Sequence, residues 1–233
     1  MHAVVPAAGR GSRMGALTDD RPKPLIPIGG RPLLAHVFDT LATADPDRYV
    51  VVIGYRGEQI RDRFGECYRK RPIEYVNQPE RLGLADAIRR AGTIVGENEF
   101  VALNGDNVLR TDLGRLTSSD AAVTLLAERC SRAAARETGV IVTDAEGQVE
   151  RMVEKPDEPP STLCSAGAFR ASPAIQTACE AIEPSARGEY ELADAITWLL
   201  ERGNRADVVE RSGPRVNVNT PADISRAADL LSD

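Results

Sequence analysis

Short β-rich runs alternate with amphipathic stretches through the first half of the chain, and no other feature restricts its fold as much. Strands are expected near Ala3–Pro6, Tyr49–Ile53, Ile73–Val76 and Phe100–Asn104, with helices between them near Leu33–Thr43, Glu58–Phe64 and Leu84–Ile94. In the first of these helices Leu34, Val37, Phe38 and Leu41 recur at helical spacing. Strands bridged by helices pair in parallel, and a parallel sheet must be covered on both faces. The right-handed crossover then selects a doubly wound, three-layer α/β/α arrangement around a mostly parallel mixed sheet.

The second half is less regular. Ala122–Ala127 reads as a strand, and Val140–Thr143, a turn at Asp144–Gly147 and Val149–Glu154 read as a hairpin. Leu163–Arg170 is a further strand. Ser172-Pro173 opens a helix, another covers Leu192–Arg202, and the last starts at Thr220-Pro221-Ala222-Asp223, with Thr220 as N-cap. No repeat or low-complexity segment occurs, so one domain spanning 1–233 is expected, with no β-helix domain after it.

Composition narrows the chemistry. A net charge of −6 argues against a nucleic-acid surface. No apolar run has the length of a membrane span, and the start has no secretory pattern, so a cytoplasmic enzyme is expected. The four cysteines form no CxxC pair and read as reduced, mostly buried residues. With two histidines, a His-based triad or multi-His metal site is not expected, and a metal, if used, would be held by oxygen, which favours Mg²⁺. Of the 29 basic residues only Lys23, Lys70 and Lys155 are lysines, and two of these lie beside proline in Pro22-Lys23-Pro24 and Lys155-Pro156.

The first strand runs into Ala7-Ala8-Gly9-Arg10-Gly11-Ser12-Arg13-Met14-Gly15. Glycines let backbone N–H groups approach a phosphate, and Arg13 adds a forked cation. Such a strand exit is also an ordinary structural turn. It lacks the closing G-K-[ST] of a Walker loop, and Tyr49–Ile53 is not followed by the acid that a dinucleotide fold requires.

The continuation through Arg21-Pro22-Lys23-Pro24-Leu25 to Gly29-Gly30-Arg31-Pro32-Leu33 extends the pattern. The whole stretch Pro6–Leu34 resembles the signature of the sugar-1-phosphate nucleotidyltransferases, which include glucose-1-phosphate thymidylyl- and uridylyltransferases. The resemblance implies a Rossmann-like nucleotidyltransferase fold, with a nucleotide-binding half at 1–110 and a sugar-phosphate half at 111–233. By the same resemblance the loop of Ala8, Gly9, Gly11, Ser12 and Arg13 wraps the nucleotide phosphates, with Lys23 neutralising them. Asn77-Gln78-Pro79 followed by Gly83-Leu84-Ala85-Asp86-Ala87 is similar to the base-reading segment, which gives that task to Gln78 and Gly83. Asp106, in Gly105-Asp106, matches the Mg²⁺ aspartate.

Further matches fall in the second half. Gly139-Val140 and Glu154-Lys155-Pro156 are similar to the sugar-phosphate segments, placing Gly139 and Glu154 at the sugar and Lys155 on its phosphate. Ser165-Ala166-Gly167 matches a sugar-contacting strand. Glu189, Glu191 and Asp194 resemble residues bordering the sugar pocket, although acids also suit a helix start. The family's W-x-D element reads Arg215-Val216-Asn217 here, so the second metal ligand is expected to be Asn217, with Asn219 as the alternative.

These readings imply in-line attack of a sugar phosphate on the α-phosphate of a nucleoside triphosphate, UTP or dTTP favoured, with glucose 1-phosphate as acceptor. Arg13, Lys23, Asp106 and Lys155 carry the chemistry, Mg²⁺ is the cofactor, and a homo-oligomer is expected because relatives often assemble. The rival readings are a cytidylyl- or guanylyltransferase acting on a polyol or mannose phosphate, and an inactive nucleotide-binding homologue, motivated by Asn217.

Overall fold

A computed structural model of the chain describes residues 1–232. In chain order it contains β1 (His2–Pro6), β2 (Pro27–Ile28), β3 (Arg31–Pro32), α1 (Leu33–Leu41), β4 (Tyr49–Ile53), α2 (Gly57–Phe64), β5 (Cys67–Tyr68), β6 (Arg71–Asn77), α3 (Leu84–Val95), β7 (Phe100–Leu103) and β8 (Asn107–Leu109). There follow β9 (Val123–Arg129), α4 (Arg132–Ala135), β10 (Gly139–Thr143), β11 (Val149–Glu154), β12 (Leu163–Ala171), α5 (Ala174–Ala181), α6 (Leu192–Leu200), β13 (Ala206–Glu210), β14 (Arg215–Asn217) and α7 (Pro221–Ser232).

The centre of the main sheet runs β7-β1-β4-β6, all parallel. Beyond β7 the sheet turns antiparallel at β12, which carries the β10–β11 hairpin and β9, with β13 parallel to β9. The register of β12 against β9 shifts between Ser165 and Phe169, a stretch that contains Gly167 with φ +78°. Period-2 alternation sorts the central strands onto two faces. Ala3, Val5, Val51, Ile53 and Leu103 pack with Leu34, Val37, Phe38 and Leu41 of α1. Val4, Val50, Val52 and Ala102 pack on the other face with Ile88, Ala91 and Val95 of α3 and with residues of α5 and α6. The result is a mixed sheet with a parallel core and helices on both faces. Each fully buried aliphatic side chain contributes about 1.5–3 kcal/mol to holding it.

Several boundaries differ from the sequence pattern. The first helix ends at Leu41 and tightens to a 3₁₀ turn over Ala42–Ala44. The helix expected from Ser172-Pro173 starts at Ala174, with Pro173 as its N-cap. At the last helix the capping roles reverse: the Thr220 hydroxyl donates to Asp223, whose Oδ2 also accepts from the backbone N–H groups of Asn219 and Thr220. Short elements outside the expected set are β2, β3, β5, α4, β13 and the β8–β14 ribbon, which pairs Asn107 with Asn217. The ribbon stands on a third apolar cluster that includes Met14, Ile26, Val108, Val216, Val218 and Leu230.

The cysteines do not all remain thiols, which corrects the reading above. Cys130 follows β9 and Cys164 lies on its antiparallel neighbour β12, and the two are joined in a disulfide. The pairing bridges a sequence separation of 34, so local spacing carries no sign of it. Cys67 is an exposed thiol, while burial pushes the Cys179 thiol up to about 12. Among the described residues no helix is long and apolar enough to cross a membrane.

Candidate active site

The parallel strands end along one edge of the sheet, where α/β folds open a crevice. β1 delivers the glycine loop there. Ala8 is buried behind it, while Gly9, Ser12 and Arg13 are exposed. Gly11 has φ +74°, and a Cβ at that position would stand 2.9 Å from Lys23 Cβ. The loop therefore closes on Lys23 only because residue 11 has no side chain. Lys23 is 7% exposed and opens a 3₁₀ turn behind the loop. Its ammonium donates to Asp106 Oδ2 at 3.0 Å and to Asn219 Oδ1 at 3.0 Å. Arg13 donates to the same Asn219 oxygen at 3.1 Å.

Asp106 lies just past the carboxyl end of β7. Its other oxygen accepts from Asn107 Nδ2 at 3.0 Å, and its carbonyl accepts from the Val218 N–H at 2.8 Å. That last bond brings the segment from Asn217 to Asn219 alongside it. Asn219 shares the lysine with Asp106, whereas Asn217 Oδ1 is buried without a hydrogen-bond partner. Among the described residues no group of three or more His, Cys, Asp or Glu side chains is arranged to hold a metal ion. A divalent ion here would rely on one carboxylate, amide oxygens and the oxygens of its substrate. That donor set is hard and suits Mg²⁺, and the Lys23 ammonium marks a point where two such oxygens converge.

On the opposite wall the β10–β11 hairpin sets Gly139 across from Glu154. Burial raises the Glu154 carboxyl above its ordinary range; Lys155 and Arg187 pull it down, and Glu191 and Glu189 push it further up. Lys155 follows with φ +43°, its ammonium 3.7 Å from Glu154. Arg187 joins buried Glu191 at 2.6 Å and reaches Glu154 at 3.9 Å. Asp194 is raised by burial and by Glu191.

Two adjoining cavities of about 390 and 610 Å³ result. Both are lined by Arg13, Asp106, Glu154, Lys155 and Asn219. The first adds Gly9, Gly11, Ser12, Lys23 and Glu189; the second adds Gly139, Gly167 and Asn217. Gln78 and Gly83 lie outside both linings, where their loop contributes Arg81 and Leu84 instead. Gln78 is buried and its amide nitrogen donates to Gly83 O at 3.1 Å and to Asp86 at 2.8 Å. Burial alone would raise the Asp86 carboxyl, but hydrogen bonds from Arg89, Arg90 and Gln78 hold it low.

Sequence reasoning missed Asn104, which lines both cavities with its Oδ1 buried and unpartnered. It also missed Asn107 and Asp86, which grip Asp106 and Gln78 from behind. The available signal was adjacency: Asn104 and Asn107 flank Gly105-Asp106, and Asp86 sits in the first turn of α3.

Known proteins share this architecture. The chain is 37% identical over 237 residues to UTP--glucose-1-phosphate uridylyltransferase AglF of Haloferax volcanii, a match covering 100% of this chain and 97% of that protein. It is 31% identical to a glucose-1-phosphate thymidylyltransferase of Streptomyces griseus, over 87% of this chain and 58% of the relative. Several other relatives are longer, and the chain spans 53–66% of their length. A solved UDP-glucose pyrophosphorylase complexed with UDP-glucose superposes with a TM-score of 0.91 at 22% identity, covering 99% of this chain and 98% of that one. A putative glucose-1-phosphate thymidylyltransferase from Bacillus anthracis gives 0.89 at 25% identity, covering 100% and 96%. The family model described as Nucleotidyl transferase matches residues 2–215, and the chain belongs to that family of enzymes, in which these relatives are sugar-1-phosphate nucleotidyltransferases.

Proposed function

We propose that this enzyme joins UTP or dTTP to glucose 1-phosphate, forming the nucleoside diphosphate sugar and releasing pyrophosphate. The observation that carries the reading is the convergence of Arg13, Lys23 and Lys155 on one cleft with Asp106. Two polyanions must meet there, and their repulsion is the main barrier. Alignment of the reactants removes about 7–11 kcal/mol from such barriers, and one well-aimed donor adds about 3–4 kcal/mol.

The sugar phosphate oxygen attacks the α-phosphorus in line, and no side chain acts as nucleophile. Arg13, Lys23 and the N–H groups of the Ala8–Arg13 loop hold the triphosphate and the departing pyrophosphate. Lys155 holds the sugar phosphate, and Glu154 accepts from sugar hydroxyls beside Gly139, Gly167 and Glu189. Asp106 and Asn219 would hold Mg²⁺; their shared contact with Lys23 supports Asn219 over Asn217. When bound, the ion would supply positive charge that stabilises the charge developing on the phosphates.

The base preference has its own support. Asp86 only accepts hydrogen bonds, so the Gln78 nitrogen must face it and the Gln78 oxygen must face away. An amide oxygen so fixed is an acceptor matched to the imide N–H of uracil or thymine, but Gln78 lies outside both cavity linings, so the base would have to enter beyond them to meet it. The catalytic unit is taken to be one cytoplasmic domain, assembled as a homo-oligomer and acting on free nucleotides rather than nucleic acid. A panel of triphosphates crossed with several sugar 1-phosphates, scored by pyrophosphate release, tests the reading. Activity should be highest with UTP or dTTP and glucose 1-phosphate; turnover confined to CTP or GTP would overturn it.

A further inference from the structure

Arg215 stands where the family signature carries tryptophan, and its contacts form a chain that ends at Asp106. Its Nε–H donates to Asn107 Oδ1 at 2.6 Å, and its Nη1 is paired with Glu128. Glu128 is held in turn by Arg211. Asn107 is 1% exposed, and its Nδ2 donates to Asp106 Oδ1 at 3.0 Å. Gly167, with φ +78°, leaves room for this: a Cβ there would lie 2.7 Å from Asn107 Nδ2.

The direction of the chain follows from donor chemistry. A guanidinium only donates, so the Asn107 oxygen must face Arg215 and its nitrogen must face the carboxylate. Without Arg215 the buried Asn107 oxygen loses its donor, and the amide is held by Asp106 alone, so its grip on the carboxylate loosens. The second Asp106 oxygen is held by Lys23, a cation that a bound triphosphate would also draw on. Asn107 is the side-chain anchor that Asp106 would not share with the phosphates. The other candidate ligands, Asn217 and Asn219, carry no charge, so the geometry of this single carboxylate decides how well an ion is held.

We propose that Arg215 is a positioning residue for Asp106, acting through Asn107 and fixed by Glu128. The proposal rests on the reading of Asp106 as a metal ligand. Its test is Mn²⁺ binding followed by paramagnetic resonance, on the wild-type protein and the variants Arg215→Met, Arg215→Lys and Asp106→Asn, beside Mg²⁺ titrations of turnover and UTP binding in EDTA. Outer-shell changes of this kind typically cost about 10–100-fold in metal affinity. Arg215→Met should weaken Mn²⁺ by that factor, raise the Mg²⁺ needed for half-maximal turnover in parallel, and leave metal-free UTP binding unchanged. Arg215→Lys should fall between, because one ammonium cannot serve Glu128 and Asn107 with a fixed fork. If Arg215→Met does not fold, Arg215→Lys decides. Wild-type Mn²⁺ affinity in the folded Arg215 variants, with affinity lost in Asp106→Asn, overturns the proposal alone. Unchanged affinity in Asp106→Asn overturns the metal reading beneath it.

Discussion

The two walls of the cleft use charge in opposite ways. The glycine-loop wall carries Arg13 on the loop and Lys23 in the turn behind it, with one carboxylate, Asp106, facing them. The hairpin wall sets one lysine, Lys155, among Glu154, Glu189 and Glu191, with Arg187 cross-linking two of the acids. The first arrangement suits a polyanion recognised by backbone N–H groups and cations. The second suits a ligand with one phosphate and many hydroxyls, since ionised carboxylates are hydrogen-bond acceptors. Position on one wall or the other should therefore separate effects on the two substrates.

The largest effect should come where the walls meet. Asp106→Asn keeps the shape but removes the charge, and kcat should fall at least about 10²–10³-fold, the scale of losing one preorganised electrostatic contact. Thermal denaturation of the variant should show a retained fold; near-normal turnover would remove Asp106 from the reaction. Next, Lys155→Ala should lower kcat/KM for the sugar phosphate by about 10–100-fold, the loss of one charge-assisted contact. The nucleotide KM should stay within error, and a change confined to the nucleotide would erase the distinction between the walls. Gly11→Ala should act in the mirror sense. It strains a left-handed residue and crowds Lys23, raising the nucleotide KM several-fold and costing about 1 kcal/mol of stability by chemical denaturation.

The smallest effect is the pH dependence of Glu154. Its folded pKa is raised, chiefly by burial, so its stabilising contribution is present below the ordinary carboxylate range and is lost as pH rises through the raised value. Over the same interval the carboxyl gains the charge with which it accepts sugar hydroxyls. The sugar-phosphate KM should climb as pH falls through that window, and Glu154→Gln should remove both trends. An identical profile in wild type and variant would mean that another group titrates.

The legible parts of the molecule were those with a local period. β1, α1, β4, α2, β6, α3 and β7 could be read because short β-rich runs alternate with stretches whose apolar residues recur at helical spacing. The glycine loop and the Lys23 turn could be read because their residue types are unusual and consecutive. β13 was missed because Ala206-Asp207-Val208-Val209-Glu210 offers only two adjacent apolar residues between charges. The β8–β14 ribbon was missed for a stronger reason: it pairs three residues with three others more than a hundred positions away. That ribbon brings Arg215 to Asn107 and leads into the Asn219 segment, so the unread element is also the one that organises Asp106. The Cys130–Cys164 bond belongs to the same class, a product of strand pairing with no local signature.

Asp223 gives the site an anchor at the rim of the molecule. Burial favours its neutral form, but the Thr220 hydroxyl, the N–H groups of Thr220 and Asn219, and nearby Arg226 outweigh burial and hold its pKa low. The stability it lends is therefore present above the ordinary aspartate range and drains away as pH drops through its depressed value. Strong acid thus loosens the tether between α7 and the backbone of Asn219, so damage that begins at a peripheral helix is felt where the phosphates would lie.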